Sequence, residues 1–102
     1  MNNFKVVISE AAQSDLDNLS NVISINYKAP ATALKYLNGL FQEMRKLTNS
    51  AHVYPIQTIK TLQQYGPYPR RVNYKKMAII YNLVGDVVYI RSIIPSNIIS
   101  GL

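Results

Sequence analysis

The sequence predicts an α+β fold in which a helical hairpin covers one face of a mostly antiparallel sheet. Three observations predict it. A short β-branched run opens the chain. Two apolar stripes at steps of three and four follow, divided by Pro30. Two strongly β-forming runs then flank Gly85-Asp86. The order is strand, helix, helix and three strands, β-α-α-β-β-β, and residues 1–102 read as one domain.

The first strand is Phe4-Lys5-Val6-Val7-Ile8. Ser9 is placed to cap the next helix, and Glu10 suits its positive end. Ala12, Leu16, Leu19, Ile23 and Tyr27 share one helical face, with Asp15, Asp17, Asn18 and Asn21 on the other side. Lys28 suits the negative pole, and Pro30 both stops this helix and opens the next. There Ala33, Leu37, Leu40, Met44 and Leu47 form the stripe, with Lys35, Asn38, Gln42 and Lys46 off it. The short connection predicts an antiparallel pair, and Gly39 permits close approach of the first helix.

Residues 48–69 alternate poorly. Gly66-Pro67-Tyr68-Pro69 must be loop, and Ile56 to Leu62 fits either a short strand or a helical turn. Arg70–Lys75 reads as a strand. Lys76–Val84 and Val87–Ile94 form a hairpin, and the Gly-first turn favours type II′. Pro95 ends the last strand, leaving the tail Ser96–Leu102 to fray or dock on the sheet.

Composition narrows the chemistry. The chain has 102 residues, 48% apolar and 16% charged, the balance of a folded protein rather than a disordered tail. No apolar run approaches the ~20 residues that span a bilayer, and Met1-Asn2-Asn3-Phe4-Lys5 lacks a signal-peptide pattern. The expectation is a cytoplasmic protein with no membrane contact. There is no cysteine and one histidine, His52, which argues against disulfides, thiolate metal sites and multi-histidine sites. No metal or cofactor is expected. Glycine-rich phosphate loops, nucleophile elbows and acid clusters are also missing.

The net charge is +6, from eleven Lys/Arg against five Asp/Glu. Arg70, Arg71, Lys75, Lys76 and Arg91 lie in the C-terminal third with only Asp86 to offset them. Such a patch fits nucleic acid or an acidic protein, and equally a solvated charged strand and turn. A metal-free RNA-cleaving site built from Lys, Arg, His and Tyr is chemically feasible, since such groups activate a 2′-hydroxyl and stabilise phosphorane charge.

With Gly85-Asp86 as the turn, Val84 pairs with Val87, Asn82 with Tyr89, Ile80 with Arg91 and Ala78 with Ile93, all on one face. The other face holds Met77, Ile79, Tyr81 and Leu83 against Val88, Ile90, Ser92 and Ile94, and is expected to lie under the helices. The first face is then the exposed or partner-covered one. Arg91, in mid-strand among apolar residues, needs an anion, a carbonyl cluster, an internal acid or water. Tyr89 is placed to stack on a base or a partner side chain, or simply to fill the sheet surface. His52, the lone histidine, reads as part of a loop and is a weak candidate for a functional role.

Two segments resemble the RelE/ParE toxin superfamily. One is Phe4-Lys5-Val6-Val7-Ile8-Ser9-Glu10-Ala11-Ala12. The other is Arg71-Val72 ahead of the run Met77–Ile94, with its Ile79-Ile80-Tyr81, Gly85-Asp86 and Tyr89-Ile90-Arg91. The pattern is similar to a ParE-type toxin or plasmid-stabilisation protein over nearly the whole chain. The resemblance implies the toxin of a type II toxin–antitoxin pair, neutralised by a cognate antitoxin. ParE-like members poison DNA gyrase, whereas RelE-like members cut mRNA on the ribosome. The nucleases commonly carry an arginine three residues before the hairpin tyrosine, where this chain has Ala78. They also place His, Tyr or Arg after the last strand, where it has Pro95-Ser96-Asn97. Arg91 and Arg71 do match basic positions of the family.

The expectation is therefore a toxin that binds a target such as gyrase through Arg70, Arg71, Lys75, Lys76, Asn82, Tyr89 and Arg91. The alternatives are a ribosome-dependent nuclease, with Arg91, Tyr89 and Arg71 as catalytic candidates, or a degenerate non-toxic member that only binds a partner. An exposed sheet face beside an apolar hairpin is also compatible with a homodimer.

Overall fold

The computed structural model describes residues 3–26 and 28–99. Tyr27 and the end of the tail, 100–102, lie outside the described residues. Strand β1 is Lys5–Ile8, helix α1 Glu10–Asn21, helix α2 Pro30–Ser50, and strands β2, β3 and β4 are Arg70–Tyr74, Met77–Val84 and Val87–Pro95. The sheet order is β1-β4-β3-β2. β1 runs parallel to β4, and the other pairs are antiparallel. The mostly antiparallel α+β arrangement expected from sequence is present.

Ser9 caps α1, its hydroxyl accepting from the Ala12 N–H at 3.1 Å. The helix then widens into a π-helical turn over Val22–Asn26 rather than continuing as regular helix. Pro30 occupies the first turn of α2 as expected. Ala12, Leu16, Leu40, Met44 and Leu47 pack with Val72, Ile79, Tyr81, Val88, Ile90 and Ile93 in one buried cluster between helices and sheet. Burying such side chains is the main stabilising term of the fold. Gly39 faces β2 and not the first helix: a Cβ there would sit 1.9 Å from the Tyr74 hydroxyl oxygen.

Residues 48–69 resolve both readings of their middle stretch. Ile56 forms a single antiparallel bridge with Arg70, and Lys60–Tyr65 is a 3-10 helix. That helix covers the sheet face opposite α1 and α2. Leu62 packs on Ala78 and Ile80, flanked by Ile59, Tyr65, Ile94 and Ile99. The face expected to be exposed is therefore buried by the chain itself at Ala78 and Ile80, which are 0% exposed. The tail docks through Ile99.

The hairpin pairs as expected from Val84↔Val87 to Asn82↔Tyr89, around Gly85 at φ 61. Beyond Tyr81↔Ile90 the register shifts, and Ile80 pairs with Ser92 and Ala78 with Ile94. The expected pairs Ile80–Arg91 and Ala78–Ile93 do not form, because Arg91 is the extra residue of a β-bulge. Ile93 and Ile94 consequently exchange faces. Ile93 enters the helix-side core, and Ile94 packs beside Leu62.

Candidate functional site

The bulge at Arg91 is held from α1. The Ser9 N–H donates to the Ile90 carbonyl at 3.0 Å, and the Ser9 hydroxyl donates to the Arg91 carbonyl at 3.2 Å. β1 ends opposite Ile90, so β4 has no strand neighbour on that edge beyond it. Asp15 takes over: its carboxylate accepts from the Ser92 hydroxyl at 2.7 Å and from the Ile93 N–H at 2.9 Å. Asp15 thus faces the sheet and not the solvent side assigned from helical periodicity.

Arg91 leaves the bulge on the face away from the helices, half-buried. Its Nε donates to the Asn82 side-chain oxygen. Its guanidinium carbon lies 5.4 Å from the centre of the Tyr89 ring, a cation–π arrangement. Asn82 is 1% exposed, and its Nδ2 donates to the Pro67 carbonyl at 2.9 Å. That bond sets the amide so that the oxygen points at Arg91. Gly66, at φ 103, passes close over this pair: a Cβ on it would sit 3.1 Å from Asn82 Oδ1. The guanidinium opens on a groove of about 380 Å³ lined by Ser9, Ala11, Gln64, Tyr65 and Gly66. No Asp or Glu among the described residues pairs with Arg91; the ion pair present is Lys46–Glu43.

The structure thus brings together Asn82, Tyr89 and Arg91 and disperses the remaining cations. Arg70 faces the helix side, where it donates to the carbonyls of Tyr54 at 2.6 Å and His52 at 3.2 Å. It anchors the chain leaving α2, beside the Tyr81 hydroxyl bonded to Ala51 O at 2.7 Å. Burial pushes the Tyr81 phenol well above its ordinary range. Arg71 pairs across from Ile80 and donates to Asn73 at 2.9 Å. Ile80 and its Leu62 cover lie between it and β4.

Lys75 and Lys76 form the β2–β3 turn, with Lys75 at φ 53 and its ammonium 5.7 and 5.6 Å from the Tyr36 and Tyr74 rings. Burial, and secondarily Tyr74, raises the Tyr36 phenol. His52 stacks obliquely on Phe4, with ring centres 5.6 Å apart. Ala78, where a family nuclease would carry arginine, is fully buried under Leu62. Among the described residues no helix is long and apolar enough to cross a membrane, and no group of three or more His, Cys, Asp or Glu is placed to hold a metal.

Sequence reasoning missed the groove walls Gln64, Tyr65 and Gly66, which lie in the segment that lacks periodicity. It also missed the bulge. The adjacent polar pair Arg91-Ser92 inside an apolar strand was the available signal, since strict alternation would have forced Ser92 into the helix-side core.

No family model matches the chain, and no curated protein is similar to it. Among solved structures, a chain from the chromosomal ParDE toxin–antitoxin system of P. aeruginosa superposes with a TM-score of 0.69 at 18% identity, covering 90% of this chain and 95% of that one. The chain therefore has the ParE-like fold that its strand–helix opening and its hairpin resemble.

Proposed function

We propose that the chain is the toxin component of a type II toxin–antitoxin module, acting in the cytoplasm by binding a protein target, DNA gyrase, and neutralised by a cognate antitoxin. The observation that carries this reading is the ParE-like fold over nine-tenths of the chain. The arrangement of the cations supports a binding mode of action over RNA cleavage. A metal-free nuclease needs a general base, a general acid and a phosphate clamp around one reacting phosphate. Here Arg70 is committed to carbonyls behind the sheet, Lys75 and Lys76 sit at a turn, and Ala78 is covered.

Induction of the chain alone in a bacterium tests the proposal. Growth arrest with intact transcripts, relieved by co-expressing the product of the adjacent reading frame, is the expected result. Transcripts cut at ribosomes would assign a nuclease instead. Uninhibited growth would leave a partner-binding protein without toxicity.

A further inference from the structure

We propose that the groove beside Arg91 is a receptor for one carboxylate side chain on an acidic segment of a partner protein, with Arg91 taking the carboxylate. This deepens the partner-binding part of the proposed function and rests on it, but not on toxicity or on gyrase. The guanidinium is oriented before any partner arrives: Nε is engaged by Asn82, one face lies against Tyr89, and the backbone carbonyl is held by Ser9. Among the described residues nothing accepts from its two Nη nitrogens. A guanidinium tethered at Nε presents them as a parallel fork, the geometry that grips a carboxylate through two hydrogen bonds.

The orientation is built from the interior. Asn82 acts as a positioning residue, fixed by the Pro67 carbonyl, and Gly66 permits the approach of that backbone. The groove walls add a phenol at Tyr65 and the side chain of Gln64, whose amide donates to the Thr61 carbonyl at 2.7 Å, and among the described residues Arg91 forms no ion pair.

A carboxylate fits better than a nucleic-acid backbone. Binding a phosphate chain requires several cations along a track. Arg91 is the single cation lining this groove. Counted along β3 from Ile80 beside the bulge, Lys76 lies four residues away and Lys75 five, roughly 13–17 Å at strand spacing. Arg70 is on the other face, and the Ile80–Leu62 packing stands between Arg71 and β4.

The test is a titration of the full chain, labelled with ¹⁵N, by an end-capped tetraglutamate peptide at physiological ionic strength, followed by NMR. A single-stranded oligonucleotide of equal charge serves as the second probe. Saturable shifts centred on the Arg91 Nε–H and the Gly66 and Ala11 amides are expected for the peptide. Arg91→Gln should weaken binding about tenfold or more, as loss of a charged hydrogen-bond pair does. Ala11→Glu, at an exposed helical position that tolerates an acid, should occupy Arg91 from within the chain and block the peptide while leaving the fold intact.

Peptide shifts centred on Lys75 and Lys76, or unchanged in both variants, would overturn the proposal. So would oligonucleotide shifts at Arg91 as strong as those of the peptide. Growth arrest without Arg91-centred binding would leave the toxin reading standing and remove this one. Arg91-centred binding without arrest would do the reverse.

Discussion

Asp15 accepts from both Ser92 and Ile93 where β4 has run past the end of β1. Removing it strands a buried hydroxyl and a backbone N–H, so Asp15→Ala should cost about 2 kcal/mol in urea unfolding. Helical periodicity alone assigned Asp15 to solvent, because a 3.6-residue stripe does not reveal an edge N–H waiting on a neighbouring strand. Tyr81 is legible in sequence as a core aromatic, but its bond to Ala51 O is not. Tyr81→Phe should cost about 1 kcal/mol. Because folding raises this phenol above its ordinary value of 10.0, its contribution is complete below pH 10 and is lost as pH rises beyond it. Tyr81→Phe should therefore flatten the alkaline fall in stability measured above pH 10. Gly39 offers a sign test. In helix α2 the change to Ala gains about 1 kcal/mol of propensity, but its Cβ meets Tyr74 Oη. Gly39→Ala should be stabilising in a Tyr74→Leu background and lose that gain, or reverse it, when Tyr74 is present; chemical denaturation of the four proteins reads the difference.

Among the elements, α1, α2 and the β3–β4 hairpin were legible because each carries a strong period, 3.6 or 2, and a burial partner to match. The π-helical turn was not, since widening a helix by one residue leaves the apolar spacing similar. The 3-10 helix at Lys60–Tyr65 is held by one fully buried anchor, Leu62, which leaves no periodic signature. Its importance lies in what it covers and where it ends. Gly66 adopts φ 103 with ψ 179, a conformation that penalises any side chain. Gly66→Ala should cost about 1–3 kcal/mol and also displace Asn82, so the Arg91 Nε–H resonance should shift. Loss of stability with an unchanged Arg91 signal would show that the segment does not position the arginine.

Over the whole molecule, a basic patch that looks continuous in sequence becomes four separate placements: behind the sheet at Arg70, on β2 at Arg71, at the turn with Lys75 and Lys76, and in the groove at Arg91. Alternation in the sequence carries Asn82, Tyr89 and Arg91 to one side of the hairpin, and the structure brings these three side chains into contact. Alternation did not identify the walls, which come from α1 and from the segment over the sheet. This distribution supports the proposed protein-binding mode over one that cradles a phosphate chain. The most direct measurement is a supercoiling assay in which the purified chain is added to gyrase and relaxed plasmid. Inhibition of supercoiling by the wild-type chain is the expected result. Full supercoiling at a saturating concentration of the chain, with mRNA cut in a translating extract by the same preparation, would contradict the proposed function.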